Sequence, residues 1–421
     1  MQLVILSELY YPELDATGYF VTGIAEGLAA TQDATIRVLC AQPTYHNRTT
    51  LAPWREERRG VRIRRLWSAR CNPRKILGRL INFSTVSFSM FAAALMVIRR
   101  GDHVLVVTNP PLLPFLSRLA CAMRGARMIL LVHDVYPEVL AVVGALRSDG
   151  WFWRLLEATN RRLYQSCTKV VVLGRDMQAI VDRKIGRSGL SVIIPNWADV
   201  DVIRPEERRN ELLFEHLRGC EWPESKRREK LLNRVQANPL VVLYCGNHGR
   251  THDFDTLLRV AMQMAADPSV LFLFVGEGSG KPRAMALAEE LGLPNTAFSH
   301  RVAEQELSAT LALGDLCAIA LKPRMSGVSV PSRMYNLMAA GRPILAITEP
   351  DSELGLVVAE ERIGWICSSG DVEGVTDVIR FAKANRETLA MMGKRARAAA
   401  CVRYSRVAGI WKWASLVDDL R

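Results

Sequence analysis

The sequence predicts an α/β protein built from two doubly wound, Rossmann-like domains that face each other across a cleft. Three observations carry this. Short apolar, β-branched runs alternate with helical stretches through the first half, a second such series starts after residue 239, and Pro195 to Pro239 between them lacks any comparable run and is rich in charge. A chain of 421 residues is also too long for one ordinary core. The expected division is 1–195 for the first domain, 196–239 for a linker with a surface helical excursion, 240–400 for the second domain, and 401–421 for a terminal helix that packs back toward the first.

In the first half the strand candidates are Leu3 to Leu6, Ile36 to Cys40, Val104 to Thr108, Met128 to Val132, Val170 to Leu173 and Val192 to Ile194. The loop after the first carries Tyr10, Tyr11, Pro12, Asp15 and Gly18 ahead of a helix, where a backbone approaches a phosphate or sugar or simply turns. Met128 to Val132 ends at His133 and Asp134, titratable groups at a strand's carboxyl end and therefore catalytic candidates. Leu80 to Ile98 has no charge over nineteen residues, but Asn82, Ser84, Thr85, Ser87 and Ser89 make it a poor lipid-spanning sequence and a better buried or interfacial helix. The basic run before it, Arg62, Arg64, Arg65, Arg70, Arg74, Lys75 and Arg79, suits an anionic membrane surface or a solvated face.

The second half opens with Val241 to Cys245, which runs into Gly246, Asn247, His248, Gly249 and Arg250. Glycines there let the backbone approach a ligand, and Arg250 is a candidate clamp on a pyrophosphate. Leu271 to Val275 leads into Gly276, Glu277 and Gly278, a weak phosphate-loop likeness without GxxxxGK[ST]. Between Leu316 to Leu321 and Ile344 to Thr348 lies GVSVPSRMYNLMAAGRP, read as a helix with Pro331 in its first turn, Gly341 at C′ and Pro343 beyond. Its entrance gathers Gly327, Ser329, Ser332 and Arg333, with Asn336 one turn on, and reads equally as an anion site or as a capped helix. His248, His252 and His300 have no metal-ligand spacing, so no metal is expected. The segment from Tyr404 to Leu420 has an apolar face that suits packing on another element.

Lys and Arg outnumber Asp and Glu by 55 to 43, a net +12 that favours an anionic partner. No nucleic-acid motif or aromatic stacking strip is present, so nucleic acid is not expected. Nine cysteines without a CxxC pair suit a reduced, cytosolic setting, and nothing near Met1 reads as an export signal.

With these segments in order, the chain resembles the family 4 retaining glycosyltransferases of the GT-B fold, and within them the bacterial exopolysaccharide, O-antigen and colanic acid branch. The likeness spans nearly the whole chain through YYPELDATG, VHDVYPE, IPNWAD, YCGNHGRTHDFDTLL, FVGEG and VPSRMYNLMAAGRP. It implies a UDP- or GDP-linked sugar donor held mainly by the second domain, a lipid-linked (polyprenyl-diphosphate) glycan acceptor held mainly by the first, retention of configuration, no metal cofactor, and work at the inner face of the cytoplasmic membrane. It also implies that the 327–343 helix amides and Arg333, assisted by Arg250, hold the donor pyrophosphate, and that His133 matches the family's histidine near the donor sugar. Two family glutamates eight residues apart fall here at Val328 and Asn336, which leaves Glu353 as a conjectural replacement. Non-hydrolysing sugar-nucleotide epimerases of the same fold and a non-catalytic nucleotide binder are the alternatives.

Overall fold

The computed structural model describes residues 2–420 apart from 14, 33, 44–50, 73–74, 149, 188, 222–224 and 237. Arg74 and the side chains of Lys226, Arg227, Arg228 and Lys230 lie outside the described residues.

Runs of Val, Ile and Leu that are buried on both faces form two parallel sheets. The first has eight strands in the order Arg55–Arg58, Val61–Leu66, Thr35–Ala41, Gln2–Leu6, His103–Val107, Arg127–Leu131, Lys169–Val172 and Ser191–Ile193. The second has six, ordered Thr296–Ser299, Val270–Val275, Leu240–Cys245, Leu316–Ala320, Ile344–Ile347 and Gly364–Cys367. In each sheet the earliest strand sits inside, with later strands added on both sides. Ligand crevices form at the carboxyl ends of such strands, where the winding reverses.

Four strands escaped the sequence reading. Thr296–Ser299 and Gly364–Cys367 are short, and the antiparallel pair Arg55–Arg58 with Val61–Leu66 is rich in arginine. Val61, Ile63 and Leu66 face the core while Arg62 and Arg64 face outward. Arg65 is the exception to the expected basic face. It is 2% exposed and its guanidinium donates to Glu56, to the Pro53 carbonyl and to the Tyr11 carbonyl. It therefore holds the interior together and is not offered to a membrane.

The apolar stretch is the helix Ile76–Val97, which by length and composition is long and apolar enough to cross a membrane. Here it packs along the helix Leu113–Arg124 with Val86, Met90, Ala93 and Ala94 buried. Its polar residues have structural work: Asn82 bonds both the amide and the carbonyl of Cys71, and Thr85 accepts from the Ala69 amide. The start of the helix projects Ile76, Leu77 and Leu80 into solvent, at 71%, 70% and 55% exposure.

Each sheet has its own core. The helices Asn210–Arg218 and Ser225–Gln236 send Leu213, Leu217, Leu231 and Val235 into the second core, so the excursion expected at the surface is partly interior. The terminal helix Arg406–Asp418 places Ile410, Trp413, Leu416 and Val417 in the first core. Trp197 fixes that return. Its ring lies against the helix backbone at Gly409, where an added Cβ would come within 2.4 Å of it. In an open helix Gly→Ala stabilises by roughly 0.5–1 kcal/mol. Gly409→Ala is expected to destabilise instead, by about 1–3 kcal/mol from overpacking, as read by chemical denaturation.

Candidate active site

The crevices of both sheets open into one interdomain cavity of about 1210 Å³. It is lined from the first domain by Glu13, Asp15, His133 and Asp134, and from the second by Gly246, Asn247, His252, Gly276, Ser329, Ser332, Arg333 and Asn336. Nine of the residues expected from sequence therefore meet here. Gly18, Arg250 and Gly327 do not line it.

The helix at the centre is shorter than its sequence suggests. It spans Arg333–Ala339, with Ser332 at its N-cap, and ends as expected in a left-handed Gly341, φ 64°. Residues 327–329 are not helical because their backbone pairs with the other domain. The Val135 amide donates to the Val328 carbonyl at 2.9 Å, and Asp134 and Ser329 form an antiparallel bridge. The Gly327 amide donates to Asp176 Oδ2 at 2.8 Å. Gly327 has φ 73°, and a Cβ there would meet Ile180 at 2.4 Å, so no other residue fits without displacing the first domain's helix Arg175–Ile185.

That helix and the second domain's Glu353–Glu361 cap each other. The Arg175 amide donates to the Glu353 carboxylate at 2.8 Å, and the Glu353 amide donates to Asp176 Oδ2 at 2.9 Å. Arg175 adds ion pairs to Glu353 and Glu360. Each carboxylate thus sits where a helix N-terminus favours negative charge. Glu353 is spent in this seam and lies outside the cavity lining, so it does not replace the missing family carboxylates.

With so short a helix, and with the Met334 and Tyr335 amides turned back to Pro331 and Ser332, the positive charge at this helix start is carried by the Arg333 side chain. Its guanidinium lies 4.5 Å over the Tyr244 ring, and Nη2 donates to the Asn247 carbonyl at 2.9 Å. Nη2 also stands 2.9 Å from His252 Nε2, while His252 Nδ1 receives the Gly249 amide at 3.1 Å. A neutral imidazole has one acceptor nitrogen, so it cannot satisfy both donors. Burial and then the Arg333 charge hold His252 well below the usual histidine range, so it is neutral. Nη1 of Arg333 is buried without a partner among the described residues. A cation held in place with an unmet donor is organised for an incoming anion.

Arg250, expected as the second clamp, is exposed, and the chain brings His252 to the cavity in its place. Backbone pairing of 251–253 with the neighbouring strand end, through the His252–Leu321 bridge and the Lys322 amide donating to the Thr251 carbonyl, holds His252 at the cavity, and Asp253 caps the next helix by accepting the Thr256 amide. The glycines of the two loops serve each other: a Cβ on Gly276 would lie 2.0 Å from the Gly246 carbonyl oxygen. The His248 ring is buried between Phe254 and Tyr244 and has no polar partner.

On the opposite wall, burial pushes His133 down to about 4, so the ring is neutral, and its Nε2 is buried without a protein partner. Burial raises the Asp134 carboxyl, and a hydrogen bond from Ser329 opposes this. Of the two side chains expected to act on substrate there, Asp134 is thus committed to the seam, whereas the His133 ring keeps its Nε2 free toward the cavity among the described residues. The carboxylates of Glu221 and Glu277 approach His300, but the ammonium of Lys281 already bridges the two glutamates. Asn336 is half-buried on the cavity wall, one turn from Arg333.

Residues 16–197 match the family described as Glycosyl transferase 4-like domain, and residues 226–399 match Glycosyl transferases group 1. The chain is 32% identical over 302 residues to a protein named as the probable glycosyltransferase WbjE of Pseudomonas aeruginosa, covering 72% of this chain and 71% of that one. It is 25% identical over 369 residues to WcaI of Escherichia coli K12, named for colanic acid biosynthesis glycosyl transfer, covering 84% and 85%. Among solved structures it is similar to Anabaena HepE in complex with UDP and glucose, with a TM-score of 0.68 at 15% identity over 99% of both chains.

Two outcomes test this geometry. Asp176→Asn removes an acceptor from the Gly327 and Glu353 amides, and hydrogen bonds to charged groups contribute about 1.5–3 kcal/mol. Pyrophosphate affinity, measured by calorimetry, is expected to fall about tenfold or more; an unchanged affinity would separate the seam from the site. His248, buried and neutral, is pushed down to about 3 by burial and then by the charges of Arg333 and Lys281, whereas the unfolded ring titrates near 6.5. Protons then bind only the unfolded chain, so stability is lost as pH falls from 6.5 toward 3. His248→Phe should lose less stability over that window in urea titrations, by up to about 1.4 kcal/mol per pH unit.

Proposed function

The chain belongs to the family 4, group 1 glycosyltransferases and is an enzyme of glycosyl transfer with the GT-B fold, and on that premise we propose that it moves a sugar, with retention of configuration, from a UDP- or GDP-linked donor to a polyprenyl-diphosphate-linked glycan in bacterial surface polysaccharide synthesis. Family membership sets aside the epimerase and the non-catalytic binder. The observation that carries the reading is the Arg333 guanidinium, buried at one nitrogen without a partner and facing a neutral His133 across the cavity.

In this reading the donor diphosphate lies against Arg333, and Asn336 on the same helix face takes the ribose. As the bond from the anomeric carbon to the phosphate oxygen breaks, negative charge grows on the diphosphate. A fixed guanidinium in a partly desolvated site stabilises that charge more than it stabilises the bound donor. The acceptor hydroxyl attacks the same face of the sugar, its oxygen bonds to the anomeric carbon, and its proton passes to the departing phosphate oxygen. No separate base is needed. His133, kept neutral, hydrogen-bonds a donor sugar hydroxyl and adds no competing positive charge on the acceptor side. Arg333 supplies the charge a divalent cation supplies elsewhere, so we assign no metal cofactor. The names of WbjE and WcaI and the UDP bound by HepE support the donor and pathway class. The basic balance of the chain and the exposed start of the Ile76–Val97 helix support a place on the inner membrane face.

Transfer followed by proton NMR is expected to give a product with the donor's anomeric configuration, at a rate unchanged by EDTA. An inverted product would overturn the same-face mechanism, and loss of activity in EDTA would overturn the metal-free assignment.

A further inference from the structure

A second cavity, of about 720 Å³, opens on the first domain between the helices Trp151–Gln165 and Arg175–Ile185. Arg154, Arg161, Arg162 and Arg183 line it, and all four are exposed. None of them pairs with a carboxylate among the described residues. The two carboxylates on its wall, Glu138 and Glu157, share the buried Lys184, at 2.7 Å and 2.5 Å, which offsets one of their two charges. Four guanidinium groups thus line one hollow whose walls keep a clear positive excess over the two carboxylates, at a repulsive cost that an anion would relieve.

The surroundings of the hollow point to the kind of anion. At the start of the same helix Trp151 and Phe152, in edge-to-face contact, are 77% and 44% exposed, and Leu155 one turn on is 49% exposed. This helix packs beside Leu113–Arg124, which packs beside Ile76–Val97. The same helical layer thus also presents Met123 at 62%, Leu80 at 55% and Leu77 at 70% exposure. Exposed aromatic and aliphatic side chains beside arginines fit the boundary between lipid headgroups and acyl chains. A soluble phosphate compound has no use for them.

We infer that this face is a docking surface for an anionic phospholipid bilayer, with headgroup phosphates seated in the Arg154, Arg161, Arg162 and Arg183 hollow and Trp151 and Phe152 inserted at the interface. It rests on the membrane-face reading above and names the residues that make the contact. The hollow is also joined to the active cleft. Its Ile180 wall touches Gly327, so headgroup binding bears on the helix that holds the donor loop.

The test is sedimentation of the full chain with vesicles of phosphatidylcholine, with and without phosphatidylglycerol. The wild-type protein is expected to bind only the anionic vesicles. Arg154→Glu with Arg161→Glu should reduce binding about tenfold at an unchanged melting temperature, and Trp151→Ala with Phe152→Ala should reduce it in the presence of high salt. Wild-type binding that neither pair alters would overturn this site while leaving a membrane location standing. No binding by the wild type would overturn both. Inorganic pyrophosphate that binds the hollow in calorimetry, with arginine-dependent affinity but no arginine-dependent vesicle binding, would assign it to a soluble anion and overturn the lipid assignment.

Discussion

The backbone seam between residues 327–329 and the first domain is the constraint on which the rest of the site depends. Gly327 is held by Asp176, Val328 by Val135, and Ser329 by Asp134, so three consecutive residues of the second domain are bonded as if they belonged to the first. Arg333 follows four residues later, and its position is set by both domains at once. The reciprocal capping of two helices by Glu353 and Asp176 places the seam's charges where helix dipoles favour them. A cation that approached from only one domain would leave the opposite wall free to drift. Here His133 and the donor loop are tied to the same strand end.

This arrangement also accounts for what the chain lacks. Val328 has no carboxylate to offer, and its carbonyl is occupied by the Val135 amide. The seam thus stands at one of the two positions where the resemblance implied a glutamate. At the other, Asn336 keeps an uncharged hydrogen-bonding group on the cavity wall one turn from Arg333. Neither position adds a carboxylate next to Arg333, the guanidinium held at the start of the short helix.

Much of the fold was legible because buried parallel strands are written as plain Val, Ile and Leu runs. The arginine-rich pair at the sheet edge was not, since its alternation rests on Val61 and Ile63 and continues at the buried Arg65, so that it reads as a basic face. Nine site residues were found by their place at strand ends or in the 327–343 motif. The errors were of a different kind. Where a helix begins depends on what its preceding residues pair with, and the partners of 327–329 lie in the other domain, as far back as Asp134. Arg250 outranked His252 because the strength of a charge is visible in a sequence, whereas the pairing of His252 with Leu321, about seventy residues on, is not. Glu353 failed for the same reason: its partner, Arg175, lies in the other domain.

The most direct measurement of the central claim is calorimetric titration of UDP and GDP into the wild-type protein and Arg333→Ala, with Arg333→Lys alongside. If Arg333 is the diphosphate anchor, the nucleotide that binds the wild type loses about a hundredfold or more in affinity in the alanine variant, in line with about 3 kcal/mol for a charged hydrogen-bonded contact, and the lysine variant recovers part of it. Equal affinity in all three would contradict the account.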